Sequence, residues 1–417
     1  MPKELSLAAA VALLRPGMTV YVPGLSAEHP ALRGALQQDA SRAQHVTFCG
    51  AWVPGVNRFD YAGLHPDAGS ISFFVPPELH ESFARGRMRF HSLPYTAAYA
   101  LLAEHLDCDV AFLHLSPPDA SGICSTGIAA DFAPAVWRRA QIRVGLLNDC
   151  MPRTRSPGIP VAELDYVVQS TTELVEYHAA ELDAVTERIA ANAASLIGDG
   201  DVLQIGIGTL PRAVLAQLNN RRHLQFHTGM VTDGVLQLLD AGAIAAQANA
   251  IRTGVALGSR DLYRRMSAEP RVSFHPVPVT HGFDELKRLR QFAAINSAVT
   301  VDLFGQLNVE VINGRQVSGV GGITDFIRGA AAAPEGRAIV ALPATAKGKV
   351  SRIVCTHPAG TPTATSRCEP LIVVTEHGIA DLRGLALDAR VEALISIAEP
   401  AFRTELCDRW RELRASL

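Results

Sequence analysis

Residues 197–208 read Ile-Gly-Asp-Gly-Asp-Val-Leu-Gln-Ile-Gly-Ile-Gly. This pattern is typical of a helix end, a tight glycine turn, a short apolar strand and a second glycine turn. Pro211 follows at a position that suits the opening of a new helix. Strand, glycine loop and helix in this order begin a βα unit, so the stretch predicts an α/β fold with an open, largely parallel sheet.

A similar pattern occurs near the start of the chain. Residues 14–22 read Leu-Arg-Pro-Gly-Met-Thr-Val-Tyr-Val, which places Gly17 in the position of Gly200. Two unrelated α/β segments would look alike in this way, so the repeat by itself leaves a duplication open. A chain of 417 residues exceeds what one core usually supports. We predict two lobes, residues 1–183 and 184–417, divided near the start of an amphipathic helix at 182–196.

Composition excludes several classes of protein. Apolar residues make up 48% of the chain and charged residues 19%, with a formal charge of −3. These values describe a globular protein and predict no nucleic-acid partner. No apolar run reaches the roughly 20 residues of a membrane helix, and the apolar run at 7–14 lacks a signal peptide's flanks. The seven cysteines contain no CxxC pair, which favours reduced thiols in the cytoplasm.

Two glycine-rich segments are candidate binding loops. The turn Gly206-Ile207-Gly208-Thr209-Leu210 offers backbone amides to a phosphate, a carboxylate or an oxyanion, although such a turn often serves only the fold. It lacks the third glycine of a dinucleotide fingerprint, which argues against a nicotinamide enzyme. Gly319-Val320-Gly321-Gly322 allows close approach of a ligand or of the opposite lobe, or else forms a flexible turn.

Residues 227–234 read His-Thr-Gly-Met-Val-Thr-Asp-Gly. Asp233 is expected to hydrogen-bond the backbone and hold a turn, whereas His227 either does the same or carries a proton. The sequence has no HExxH motif and no carboxylate–histidine cluster at metal spacing. It therefore predicts no catalytic metal.

With these stretches the chain resembles the acetyl-CoA hydrolase/transferase family of class I CoA-transferases. Further blocks that resemble the family lie at residues 115–119, 318–330, 342–347 and 374–384. Within this family, the sequence resembles transferases for butyrate, 4-hydroxybutyrate, itaconate and acetate. The resemblance implies two similar α/β lobes with the active site between them. It also implies a short-chain acyl-CoA and a carboxylic acid as substrates, no flavin, and a homodimer or higher oligomer.

The resemblance also implies roles for individual residues. Coenzyme A and the substrate would contact the first glycine turn (Gly206, Ile207, Gly208, Thr209, Leu210), the second glycine segment (Val320, Gly321, Gly322) and Lys347. By composition alone, a lysine in Ala346-Lys347-Gly348-Lys349 is more often exposed to solvent.

Gly229 stands where the family carries a glutamate nucleophile. Glycine cannot form the glutamyl-CoA thioester, which leaves three alternatives. Another carboxylate acts, with Asp60 favoured over Glu28 because Arg58 and Asn57 could orient it. Alternatively, the acceptor acid attacks acyl-CoA directly, in the room that Gly229 leaves, or transfer is lost. The last case leaves a thioesterase or an inactive CoA-binding protein. Because the other blocks are intact, we expect a working acyl-CoA:carboxylate CoA-transferase.

Overall fold

The computed structural model describes residues 2–178 and 180–417. They form two compact units. Unit 1 contains residues 2–178, Gln247–Thr280 and Val317–Gly321, and unit 2 contains 180–246, His281–Gln316 and Gly322–Leu417. The sequence-based division into 1–183 and 184–417 stays a prediction about domains. The compact units differ from it because two later segments return to unit 1.

The first part of unit 1 holds strands β1 to β10 and helices α1 to α5. The strands are Lys3–Glu4, Thr19–Tyr21, Thr47–Gly50, Gly69–Ser72, Met88–Phe90, Val110–Leu115, Ile123–Ser125, Ile142–Asn148, Gly158–Pro160 and Tyr166–Ser170. The helices are Leu7–Val11, Pro30–Gln38, His80–Ala84, Tyr95–Ala100 and Ala133–Val136.

Eight of these strands form one sheet in the order β1-β10-β8-β6-β2-β3-β4-β5. Every neighbouring pair is parallel. Strand β6 is buried along its whole length, as expected for an apolar strand inside a parallel sheet with both faces covered. The turn before β2 depends on Gly17, whose φ of 92° is in the left-handed region that favours glycine.

The chain from 180 to 280 passes through unit 2 and returns to unit 1. Its strands, β11 to β14, are Val202–Ile205, Gln225–Val231, Ile251–Ala256 and Val272–Phe274. Its helices, α6 to α10, are Ala184–Ser195, Thr209–Ala216, Gly234–Asp240, Arg260–Ala268 and Val277–Thr280. Strands β13 and β14 and helices α9 and α10 belong to unit 1.

The remaining elements belong to unit 2. Strands β15 to β25 are Phe292–Ser297, Thr300–Asp302, Leu307–Asn308, Val311–Ile312, Arg315–Gln316, Arg337–Ala341, Thr345–Ala346, Val350–Ser351, Ile353–Val354, Leu371–Thr375 and Gly378–Asp381. Helices α11 to α14 are Phe283–Leu286, Ile323–Ala332, Leu387–Ser396 and Pro400–Arg414.

The strands of unit 2 run in the order β12-β11-β15-β20-β24-β25. The pairs are parallel up to β24, and β25 returns antiparallel. Gly200 precedes β11 with a φ of 79°, which repeats the turn at Gly17. A buried ion pair of 2.6 Å between Asp201 and Arg337 joins the starts of β11 and β20.

The predicted fold class is confirmed: the chain is α/β with open, mainly parallel sheets. The strands expected from apolar runs appear as β6, β8, β20 and β24. All seven cysteines are free thiols. Across residues 2–178 and 180–417, no helix is both long and apolar enough to cross a membrane.

Candidate active site

The first glycine turn lies at the carboxyl end of β11. Gly208 has a φ of 108° and is the N-cap residue of α7. The helix begins at Thr209, so Thr209 and Leu210 form its first turn and Pro211 is its third residue rather than its opening one. Backbone amides of a first helical turn lack helical acceptors, so this end of α7 is suited to an anion.

Gly229 lies on β12, the strand beside β11. The hydroxyl of Thr228 donates to the carbonyl oxygen of Ile205, the last residue of β11, at 3.3 Å. Because the two strands are parallel, this hydrogen bond places Gly206 and Gly229 at the same carboxyl edge of the sheet. Ligands of open α/β sheets bind at such edges.

The space beside Gly229 is filled by the imidazole of His281. A Cβ atom built on Gly229 would lie 2.7 Å from Cε1 and 2.8 Å from Nε2 of this ring. A Cβ atom on Gly322 would lie 2.6 Å from Nε2 and 2.7 Å from Cδ2. The imidazole therefore occupies room that both glycines leave. The expectation of open space at Gly229 for an acceptor carboxylate is wrong, because a side chain distant in sequence has filled it.

His281 is deeply buried, with 3% of its surface exposed. Its ring centroid lies 4.4 Å from that of Phe326 on α12. Burial and, to a smaller extent, the nearby His227 together lower the pKa of His281 to about 3. The ring is therefore neutral at physiological pH.

His227 is also buried and precedes Gly229 by two positions on β12. Alternate residues of a strand face the same side, so His227 and Gly229 both face His281. Asp233 is the N-cap residue of α8, but its side chain makes no capping hydrogen bond there. The turn-holding role predicted for that side chain is therefore not the usual helix cap.

The second glycine segment is divided between the units. Gly322 is the N-cap residue of α12 and belongs to unit 2. Gly319, Val320 and Gly321 belong to unit 1, where a Cβ on Gly319 would lie 1.9 Å from the carbonyl oxygen of Phe73. Glycine at position 319 thus permits close backbone packing against protein.

Lys347 lies at the tip of the hairpin formed by β21 and β22, and it is exposed. Its φ of 52° and the 68° of Gly348 give two successive left-handed residues, the pattern of a type I′ turn. The exposed ammonium is free of the core. Its contact with coenzyme A stays a prediction.

Asp60 has a local structural role in unit 1. Its Oδ2 accepts a hydrogen bond of 2.5 Å from Ser82, whose hydroxyl accepts one of 3.1 Å from Arg87. Arg87 directly precedes β5, so this network lies toward the amino ends of the strands, away from the carboxyl edge. The other oxygen of Asp60, Oδ1, is buried.

The residues expected to orient Asp60 act elsewhere. Arg58 pairs with Glu78 at 3.7 Å. The amide of Asn57 donates to Glu28 at 2.6 Å, and Arg33 donates to the same carboxylate at 3.1 Å. Glu28 is 2% exposed. Both carboxylates proposed to replace the glutamate are therefore already engaged by protein groups.

A polar group that the sequence analysis missed lies at the carboxyl ends of β6 and β8 in unit 1. Asn148 donates to Nε2 of the buried His114 at 2.9 Å, and Nδ1 of that ring lies 3.0 Å from the carbonyl oxygen of Ala27. His114 and Asp131 line a cavity of about 10 Å³. Burial raises the pKa of Asp131 to about 6. Sequence spacing gave no signal for this group, because His114 and Asn148 lie on two different strands and Asp131 lies in a separate loop.

The structure also assembles a carboxylate–histidine cluster that the sequence analysis did not anticipate. Ligand atoms of Glu376, His377 and Glu399 lie within 4.8 Å of one another. His377 bonds Glu399 at 3.1 Å, and Glu376 accepts from the amide of Ala344 at 2.8 Å. These hydrogen bonds explain why the three side chains lie close together without invoking a bound ion. The absence of a catalytic metal stays a prediction.

Comparison with known proteins identifies the family. The family model of the acetyl-CoA hydrolase/transferase C-terminal domain matches residues 258–410. A 4-hydroxybutyrate coenzyme A transferase of Clostridium kluyveri is 39% identical over 366 residues, which cover 86% of this chain and 85% of that protein. The chain therefore belongs to the acetyl-CoA hydrolase/transferase family.

Solved structures agree with this assignment. RipA from Yersinia pestis superposes with a TM-score of 0.90 at 27% identity, covering 99% of this chain and 98% of that one. A 4-hydroxybutyrate CoA-transferase from Porphyromonas gingivalis gives a TM-score of 0.80 at 29% identity, covering 98% and 97%.

Proposed function

We propose that this protein is a CoA-transferase that moves coenzyme A from a short-chain acyl-CoA to a second carboxylic acid. The proposal rests on the candidate site in unit 2, because this site lies in a chain that belongs to the acetyl-CoA hydrolase/transferase family. The turn at Gly206, the strand that carries Gly229 and the start of α12 at Gly322 all lie in unit 2. Butyrate-like, 4-hydroxy and dicarboxylic acids are the acceptors to test first. We place the enzyme in the cytoplasm, as a homo-oligomer.

The reaction proceeds without a glutamyl-CoA thioester at position 229, because glycine has no carboxylate to form one. A relocated carboxylate is poorly supported, since Asp60 and Glu28 are held by Ser82, Asn57 and Arg33. Direct attack by the acceptor acid needs no carboxylate of the enzyme, but the acceptor cannot use the space beside Gly229, which the ring of His281 fills. Positioning both substrates can supply roughly 7–11 kcal/mol of the barrier.

The experiment is an acid-exchange assay with acetyl-CoA, butyryl-CoA and succinyl-CoA against a panel of short-chain acids, with new thioesters measured by mass spectrometry. Formation of the acceptor's CoA thioester at the expense of the donor's is the expected result. Hydrolysis without transfer to any acid would assign a thioesterase instead. Absence of acyl-CoA binding in calorimetry would overturn both readings and leave a protein without CoA chemistry.

A further inference from the structure

A cavity of about 370 Å³ belongs to unit 1, whereas the candidate active site belongs to unit 2. Its walls are the loop after β8, the segment after β10 and one face of α9. The four residues that α9 contributes share one face, because they are spaced three or four positions apart. They are Arg260, Tyr263, Arg264 and Ser267. The volume is within the range of roughly 300–1,000 Å³ that small-molecule sites occupy.

Hydrogen bonds hold the walls of this cavity together. The guanidinium of Arg260 donates to Glu173 at 2.5 Å and to Glu176 at 2.8 Å, which ties the segment after β10 to α9. The hydroxyl of Tyr263 donates to the carbonyl oxygen of Val175 at 2.6 Å. Because its walls are cross-linked, the cavity is preformed, as ligand sites usually are.

An exposed thiol lines the cavity. Cys150 follows the end of β8 by two positions, and its Sγ lies 3.5 Å from the carbonyl oxygen of Thr171. Within the residues that the structure describes, it is the only exposed cysteine of unit 1, because Cys49, Cys108 and Cys124 are buried. An accessible thiol exchanges with small disulfides, whereas buried thiols are inert. Unit 1 therefore has no second exposed thiol to displace a bond formed at Cys150.

The charged groups that line the cavity have both signs. Arg260 and Arg264 are cationic and exposed, and Asp149 and Glu173 are anionic and exposed. Arg264 uses its Nη2 to bind Asp261 at 2.5 Å, which leaves other N–H groups of its guanidinium available to a ligand. A small molecule that carries carboxylates and an ammonium group matches this lining.

We propose that Cys150 is a modification site, at which the cavity binds the disulfide of a small zwitterionic peptide thiol and Cys150 forms a mixed disulfide with it. The thiolate of Cys150 attacks one sulfur of the bound disulfide, so that a new S–S bond forms and the old one breaks. The other half leaves as a thiolate and takes up the proton that Cys150 released. The sulfur of Cys150 is oxidised and the departing thiol is reduced. This inference is independent of the proposed transferase function.

The test is reaction of the reduced protein with glutathione disulfide, followed by peptide mapping of each cysteine by mass spectrometry. Cys368 is the internal control, because it is also exposed but belongs to unit 2. We expect Cys150 to react about tenfold or more faster than Cys368, because a hydrogen bond donated by a charged group such as Arg264 contributes a factor of this order. The uncharged 2-hydroxyethyl disulfide should label both cysteines at similar rates. The same preference for Cys150 with both disulfides would overturn recognition by the cavity.

A variant of the cavity tests the same point separately. Arg264→Gln should abolish the preference of glutathione disulfide for Cys150 and leave the reaction with 2-hydroxyethyl disulfide unchanged. Arg288→Gln is the matched control, because Arg288 is likewise exposed and paired with an acidic residue three positions earlier. An unchanged preference in Arg264→Gln, or an equal loss in Arg288→Gln, would refute the proposal. Equal rates at Cys150 and Cys368 with glutathione disulfide in the wild type would refute it as well.

Discussion

At the scale of single residues, the central feature is that the ring of His281 fills the space where a side chain at position 229 would lie. A glutamate at 229 and an imidazole at 281 cannot occupy the same volume, because the first atom of the side chain already approaches the ring to 2.7 Å. A close-packed interior cannot accommodate two atoms this close together unless one of them moves. The side chain that position 229 can carry is therefore coupled to the residue at position 281.

Gly229→Ala should destabilise unit 2 by roughly 1–3 kcal/mol, because the new methyl group overlaps the ring of His281. Chemical denaturation measures the loss. His281→Ala in the same chain should recover most of it, so the double-mutant cycle should show strong coupling. Gly34→Ala is the control, since its Cβ on α2 meets open space. Additive effects of the two changes would contradict the packing described for this pair.

If position 229 is where the family carries its glutamate nucleophile, as the resemblance implies, restoring that glutamate requires a change at position 281 as well. Gly229→Glu alone should give no CoA adduct, although a restored glutamate would be expected to act if the site were open. Gly229→Glu with His281→Gly removes the overlap and should give a glutamyl-CoA adduct, detected by borohydride trapping and peptide mapping. If the double variant binds acyl-CoA yet remains unlabelled, the assignment of position 229 to the nucleophile is wrong.

Asp60→Asn should leave the transfer rate within about twofold of the wild type, because the carboxylate serves the Ser82–Arg87 network. Steady-state kinetics with the best acid pair measures this, and a melting curve reports the structural cost. A loss of activity with unchanged melting would instead restore Asp60 as a relocated nucleophile.

At the scale of elements, the site of unit 2 is formed where neighbouring parallel strands and one helix end meet. Strand β11 provides the glycine turn, β12 provides Gly229, and the start of α12 provides Gly322. The β21–β22 hairpin presents Lys347 at an exposed tip. Short hairpins with left-handed turn residues hold such a tip in a defined geometry.

Lys347→Ala should weaken CoA binding by roughly 1.5–3 kcal/mol at most if the ammonium contacts the cofactor. Isothermal titration calorimetry with free CoA is the measurement. Lys349→Ala, on the same hairpin and equally exposed, is the matched control and should bind normally. Equal affinities for both variants and the wild type would show that Lys347 is an ordinary surface lysine.

At the scale of the whole molecule, three buried histidines make stability depend on pH. Burial lowers the pKa of His29 to about 4, and those of His114 and His281 to about 3. The unfolded chain binds protons at these rings below pH ~6.5, whereas the folded chain does not. Their contribution is therefore complete above pH ~6.5 and is lost as the pH falls.

Asp131 acts in the opposite direction. Its pKa is raised to about 6, so the folded chain keeps a proton that the unfolded chain has released above pH ~4. Near pH 5, unfolding of unit 1 adds protons to His29 and His114 and removes that of Asp131, and unfolding of unit 2 adds one to His281. Burial also lowers the pKa of His275 in unit 1, which adds to the proton uptake of that unit. Each unit should therefore lose at least about 1.4 kcal/mol per pH unit. Urea denaturation between pH 7 and pH 5 measures the slope, and a flat profile would contradict it. The exposed His45 provides the control through His45→Gln.

Much of the fold follows from local sequence. The apolar runs at β6, β8, β20 and β24 define buried parallel strands because both faces of such strands must be apolar. The turns at Gly17 and Gly200 are recognisable because each needs a positive φ that glycine adopts without strain. Membership of the family is likewise visible in the sequence alone, whereas the loss of a family carboxylate at position 229 stays a prediction.

Which side chains fill the candidate site was decided by the tertiary structure. No spacing or period links His281 to Gly229, and only folding brings the segment before α11 against β12 and α12. The engagement of Asp60 by Ser82 was hidden for the same reason, because a loop residue and a residue of α3 meet only in the folded chain. Local chemistry determined which elements form, whereas close packing between distant residues determined which side chain occupies the vacant position.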